Sequence, residues 1–183
     1  ATPQSAAPQS APPGAAGPIA GTKGPSAEEM QAAAEMDAGD RQAMIRSMVQ
    51  RLADRMAENP DDAEGWTRLA RAYGVLGEKQ KAAEAMGRVA ALQPENNQAQ
   101  IAYAGSLLEA AGDGPMPAEV VTVFQGVLAR DADNPDALWF LGRAAAEAGR
   151  PDEARAKWQK LLSQLPPGSD AHNNVSAQIE RLN

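Results

Sequence analysis

The chain has 183 residues, a formal net charge of −7, no cysteine and one histidine. The acidic balance argues against a nucleic-acid partner, which needs a basic patch to release counterions from phosphates. The absence of cysteine removes disulfides, thiol catalysis and thiolate metal sites and is compatible with an oxidising compartment. Nor does any run reach the roughly 18 apolar residues of a membrane-spanning helix.

The segment from Ala1 to Pro25 is almost entirely Ala, Pro, Gly, Ser and Gln, with Ile19 as its one branched apolar residue. Such a composition buries too little surface to offset the entropy of ordering, so residues 1–40 are expected to be a disordered linker. A short helix over Glu28–Met36 is conceivable, with Gly39 and Asp40 interrupting it. The chain begins with Ala1 and not Met, which suggests a processed or excised portion of something longer, tethered through this linker.

From Arg41 to Glu58 the apolar residues Met44, Ile45, Met48, Val49, Leu52 and Met56 recur at i, i+4 and i+8, the period of one helix face. Pro60 closes that helix. Beyond it, Trp66, Leu69, Ala70, Tyr73, Ala82 and Pro94 stand at the spacing of a tetratricopeptide repeat, and Pro60 precedes Pro94 by one period of about 34 residues. With Ala63 as position one, residues 63–96 form a first unit. In it Ala70 and Ala82 are the small residues that let paired helices approach, and Trp66, Leu69 and Tyr73 are the wedges.

Residues 97–134 form a second, looser unit. Tyr103, Ala104 and Leu107 occupy its signature positions, and Val120, Phe124 and Val127 its second helix. Gln100 replaces a large apolar residue at position four, and the stretch Gly112 to Pro117 absorbs four extra residues as a turn. Residues 135–168 form a third unit carrying Leu138, Leu141, Gly142, Ala145, Ala154, Trp158 and Pro166. Pro166-Pro167-Gly168 then breaks the chain, Ser169 is a candidate N-cap, and Ala171, Val175, Ile179 and Leu182 line a last helix over 169–183. The expected fold is therefore all-α: a tetratricopeptide-repeat α-solenoid of three repeats, flanked by an N-terminal half repeat over 41–62 and a C-terminal cap that covers the outermost apolar face.

No residue set points to catalysis, and neither a cofactor nor a metal is expected. Asp131 to Asp136 looks superficially like a calcium loop, but Asp136 and Gly142 stand where that loop needs Gly and Glu; a turn ending in an N-cap is the simpler reading. His172 has no second histidine to pair with and is read as solvated surface, and Asp61-Asp62 as charge favourable to a helix start. Five aromatics, Trp66, Tyr73, Tyr103, Phe124 and Trp158, fall at positions the repeat buries. Trp139 and Phe140 instead fall on the first-helix face that lines the concave side of such a superhelix.

The same concave positions in the three units give Arg68, Arg71 and Val75; Ile101, Gly105 and Leu108; and Trp139, Phe140 and Arg143. This mixed lining suits an amphipathic helical peptide, its apolar face in the groove and its acidic or terminal groups on the arginines. Thr67, Ala102 and Phe140 stand where a chaperone-type carboxylate clamp would carry polar or basic groups, so such a clamp is disfavoured.

The segment from Asp40 to Met56, followed by Glu58 to Tyr73, resembles the periplasmic region of the CcmI/CycH family of cytochrome c biogenesis proteins. Asn134 to Gly142 and Trp158 to Pro167 are similar to later parts of that family. The resemblance covers about Pro25 to Asn183. It implies a non-catalytic, periplasmic chaperone domain that captures apocytochrome c, chiefly by its C-terminal helix, and presents it to the haem-ligation complex, with the haem-carrying chaperone of the pathway as a further partner. It also implies tethering to the inner membrane of a Gram-negative bacterium through an N-terminal anchor that is missing here. The alternative reading is a generic cell-envelope assembly scaffold using the same groove.

Overall fold

The computed structural model describes residues 37–182. The expected linker over its first 36 residues, the candidate helix over Glu28–Met36 and the terminal Asn183 lie outside the described residues. The described residues form eight helices and no strand: α1 Ala38–Glu58, α2 Ala63–Val75, α3 Lys79–Leu92, α4 Asn97–Ala111, α5 Ala118–Arg130, α6 Pro135–Glu147, α7 Pro151–Leu162 and α8 Asp170–Glu180. The helix expected from Arg41 starts at Ala38. Gly39 and Asp40 lie in its first turn, where the Asp37 carboxylate accepts hydrogen bonds from both their backbone N–H groups, at 2.8 and 2.9 Å, and so satisfies two donors of that turn.

Side-chain caps fix where the first helix of each repeat begins. The Asp62 carboxylate accepts from Gly65 N–H at 2.8 Å, Asn96 Oδ1 from Gln98 and Ala99, and Asn134 Oδ1 from Ala137 at 3.1 Å. The Asp131–Asp136 stretch is thus an inter-repeat turn ending in a cap. Ser169 caps α8 in the same way, accepting from His172 N–H at 3.2 Å. The turns inside the first and third units are built alike. Gly77 and Gly149, both at repeat position fifteen, take φ of 73° and 69°. Glu78 N–H then bonds back to Tyr73 C=O at 2.9 Å, and Arg150 N–H to Ala145 C=O at 2.8 Å. Only glycine adopts that left-handed turn without steric cost.

From α2 to α8 each helix packs on the next in sequence. Three clusters hold the stack together. Val49 and Met56 of α1 meet Leu69, Ala70 and Ala85; Ala104 meets Val120, Phe124, Val127, Ala137 and Leu141; and Leu138, Ala145, Ala154, Trp158 and Leu161 meet Val175 of the cap helix. In the third unit α6 and α7 approach closely. A Cβ on Gly142 would stand 2.6 Å from Trp158 Cδ1, so the glycine is what lets the Trp158 ring lie flat against α6. In the first unit the small pair is unequal: Ala70 is buried and Ala82 half-buried, and Ala83 and Ala85 supply the close contacts of α3.

Position four repays comparison across units. Trp66 Nε1 donates to Pro60 C=O at 2.9 Å, and Gln100 Nε2 donates to Ala90 and Gln93 C=O at 2.8 and 3.3 Å. Both side chains satisfy carbonyls just before their own unit, which is why Gln can replace a large apolar residue there.

Candidate functional site

The nine residues predicted to line the groove come from α2, α4 and α6, and the structure divides them into three environments. On α2, Arg68, Arg71 and Val75 are exposed, Val75 to 82%. Arg68 reaches back to the capping Asp62 at 3.6 Å. Arg71 makes no ion pair among the described residues and lies one helical turn from Val75, so a cation and a bare apolar group share one face.

On α4, Gly105 occupies the repeat position held by Arg71 and Arg143 in the other units, and a Cβ there would meet nothing within 4 Å. Ile101 and Leu108 beside it are half-buried against the Phe124 cluster. Phe140 of α6 joins the same cluster, its ring stacked on Phe124 with centroids 4.9 Å apart and planes 11° apart. The structure therefore brings Ile101, Leu108 and Phe140 together, half in the core and half at the surface.

Trp139 faces the other way. Its ring tilts against Trp158 at 5.8 Å, and its carbonyl accepts from Trp158 Nε1 at 3.1 Å. Trp139 also borders a hollow of about 270 Å³ shared with Asp136, Leu161, Leu165 and Val175, so the cap helix stands beside this ring without closing over it. Arg143 is held by Glu147 at 2.7 Å, and the same carboxylate accepts from Met116 N–H at 3.4 Å. That exposed i, i+4 pair is worth only a few tenths of a kcal/mol, about 0.3–0.5, and leaves Arg143 free to change partner.

Two expectations are corrected. Of the five aromatics read as core, only Phe124 and Trp158 are buried; Trp66, Tyr73 and Tyr103 are half-buried around a separate hollow. Beside the rings α3 presents the short residues Ala85, Gly87 and Ala91, and the Tyr103 ring packs so near Gly87 that a Cβ there would stand 3.1 Å from its Cε2. Tyr103 is also chemically distinct. Its hydroxyl donates to Glu119 at 2.6 Å, and burial together with that bond pushes the phenol up to about 12. His172, read as solvated, is half-buried, and its Nδ1 is shielded from water with no hydrogen-bond partner among the described residues.

Among the described residues no group of three or more His, Asp or Glu side chains could hold a metal ion. None of the described helices is long and apolar enough to cross a membrane.

Residues 28–172 match the model of the cytochrome c-type biogenesis protein H TPR domain. The chain belongs to that family. It is 54% identical over 57 residues to the cytochrome c-type biogenesis protein CycH of Bradyrhizobium diazoefficiens, covering 31% of this chain and 15% of that protein. It is 29% identical over 137 residues to CycH of Pseudomonas aeruginosa, covering 75% of this chain and 33% of the relative. With CcmH of Escherichia coli it shares 30% over 132 residues, covering 71% and 36%. The chain thus spans about a third or less of the length of these relatives. Among solved structures, a crystal structure of MamA protein superposes with a TM-score of 0.54 at 17% identity, covering 80% of this chain and 83% of that one. MamA 41-end from Desulfovibrio magneticus RS-1 gives 0.50 at 18%, covering 78% and 93%. At those identities the likeness concerns the fold alone: stacked helix pairs.

Proposed function

We propose that this domain is a non-catalytic chaperone module of cytochrome c maturation that binds the C-terminal helix of apocytochrome c on the face formed by α2, α4 and α6. Its place is the periplasm, tethered to the inner membrane through a part of the protein outside this chain. The bound helix is passed to the haem-ligation complex, with the haem-carrying chaperone as a further partner. Membership of the cytochrome c-type biogenesis family supports the pathway. The observation that carries the site is the open strip on α2, where an 82%-exposed Val75 lies one turn from Arg71, which makes no ion pair among the described residues.

Such a strip suits the end of an amphipathic helix. Apolar side chains at i, i+3, i+4 and i+7 of the ligand lie across Val75 and the exposed edges of Ile101, Leu108 and Phe140, and the gap above Gly105 admits one bulky anchor. The terminal carboxylate, or an acidic residue near it, takes a charge-assisted bidentate bond from Arg71, with Arg68 and Arg143 as exchangeable second donors. The ordering of a flexible ligand opposes binding, so affinity rests on these few anchors rather than on area.

Calorimetry with a synthetic C-terminal helix of a c-type cytochrome tests this. The helix peptide binds, a scrambled peptide of the same composition does not, and Arg71→Glu with Val75→Asp weakens binding at least about tenfold, or 1.4 kcal/mol, without changing the melting temperature. Trp139→Ala with Phe140→Ala also lowers affinity, but those rings pack on Trp158 and Phe124, so that pair costs stability as well. Equal binding of helix and scramble, or unchanged affinity in the Arg71/Val75 variant, refutes the reading. Under the scaffold alternative, capture from periplasmic extract recovers other envelope proteins in place of apocytochromes.

A further inference from the structure

The half-buried aromatics of the first two units surround a hollow of about 670 Å³ to which none of the nine groove residues contributes. Three rings border it: Trp66 and Tyr73 from α2 and Tyr103 from α4. Two of the rings are held in place by their polar atoms. Trp66 Nε1 is bonded to Pro60 C=O at 2.9 Å, and the Tyr103 hydroxyl to Glu119 at 2.6 Å. The Lys81 ammonium is engaged as well, 2.7 Å from Glu78 and 5.4 Å from the Tyr73 ring centroid. What remains on the wall is ring surface, Leu69 of α2, short side chains of α1 and α3, and two charged groups one turn apart, Glu84 and Arg88, neither of which forms an ion pair among the described residues.

We infer that this hollow is a second recognition site, separate from the groove, that takes an extended proline-rich peptide segment carrying an acidic residue. The ring faces set the first requirement. A backbone N–H pressed against them finds no acceptor and costs about 1–3 kcal/mol when desolvated without a partner, whereas proline has no N–H to strand. A polyproline II segment is also extended and stiff before it binds, so little ordering entropy opposes docking, and aromatic-lined hollows are the usual receptors of such segments. The charged pair sets the second requirement. Arg88, with no ion pair among the described residues, pairs with a carboxylate of the ligand, while Glu84 accepts a backbone N–H from a residue that is not proline. The size is suitable, since ligand sites commonly enclose about 300–1,000 Å³.

The probe is a blocked synthetic peptide of repeating Pro-Pro-Glu, titrated into the full chain while the indole N–H signals of the three tryptophans are followed by NMR. The Trp66 signal is assigned by its loss in Trp66→Phe. The expected result is a saturable shift of the Trp66 signal with those of Trp139 and Trp158 unmoved. Arg88→Glu weakens the binding at least about tenfold. Ala91→Leu, which extends an exposed side chain into the hollow, does the same with helix content and groove binding unchanged. The absence of a saturable shift overturns the proposal, as does a shift that survives both variants. Equal binding of a Gly-Gly-Glu repeat shows that charge alone is read and overturns the assignment to proline.

Discussion

Gly142 and Gly74 are both helical glycines of this repeat array, and alanine at the two positions is expected to act in opposite directions. At Gly142 an added Cβ would lie 2.6 Å from Trp158 Cδ1 and 2.8 Å from Cε2. The ring cannot simply swing away, because it is 98% buried, with a relative exposure of 2%, and its Nε1 is tied to Trp139 C=O. Overpacking of this kind costs about 1–3 kcal/mol, and loss of the indole hydrogen bond about 1 kcal/mol more. Against this stands the better helix propensity of alanine, about 1 kcal/mol. The net is a destabilisation of about 2 kcal/mol, a fall in melting temperature of roughly 4–8 °C for a domain of this size. At Gly74 a Cβ meets nothing within 4 Å, so only the propensity gain of about 1 kcal/mol remains and the melting temperature rises. Thermal and urea melts followed by circular dichroism and tryptophan emission measure both. Because stacked repeats can unfold in parts, hydrogen exchange of α6 and α7 should locate the loss in the third unit. A Gly142→Ala variant as stable as the parent would refute the reasoning, since it would mean that Trp158 repacks at no cost.

Two further outcomes follow from local chemistry. Tyr103 ionises near 12 in the folded chain against 10.0 in its absence, so the fold favours the neutral phenol. That contribution is fully present below pH 10 and is lost as pH rises from about 10 through about 12; the phenolate absorbance should show one late-titrating tyrosine that disappears in Tyr103→Phe and titrates earlier in Glu119→Gln. Asn134→Ala removes the cap on Ala137 N–H, seen at 3.1 Å, and should cost about 1 kcal/mol, read as a lower urea midpoint with an unchanged slope.

The sequence alone determined the fold class and the repeat frame, because both are periodic. Where Trp66, Leu69 and Tyr73 recur every three or four residues and Leu138, Leu141, Gly142 and Ala145 repeat that spacing 72 residues on, one packing rule accounts for both sets. The N-cap after Asp131 and the cap at Ser169 were legible for a local reason: each answers a backbone need at a helix start. The family too was legible, in the Asp40–Met56 helix and the run through Trp139 and Phe140.

How deeply each side chain sits was a different matter, since it depends on neighbours from other helices. Position eleven predicts that Tyr73 faces inward; it cannot say that the ring borders an open hollow shared with Ala85, Gly87 and Ala91 of the next helix. Position five places Trp139 on the groove face, and only the packed structure shows its ring leaning on Trp158 beside the cap helix while Phe140, its sequence neighbour, stacks on Phe124. The repeat period fixes the direction in which a residue points. What that residue meets is decided by the sizes of side chains 10 to 40 positions away in sequence, and only the tertiary structure brings those together.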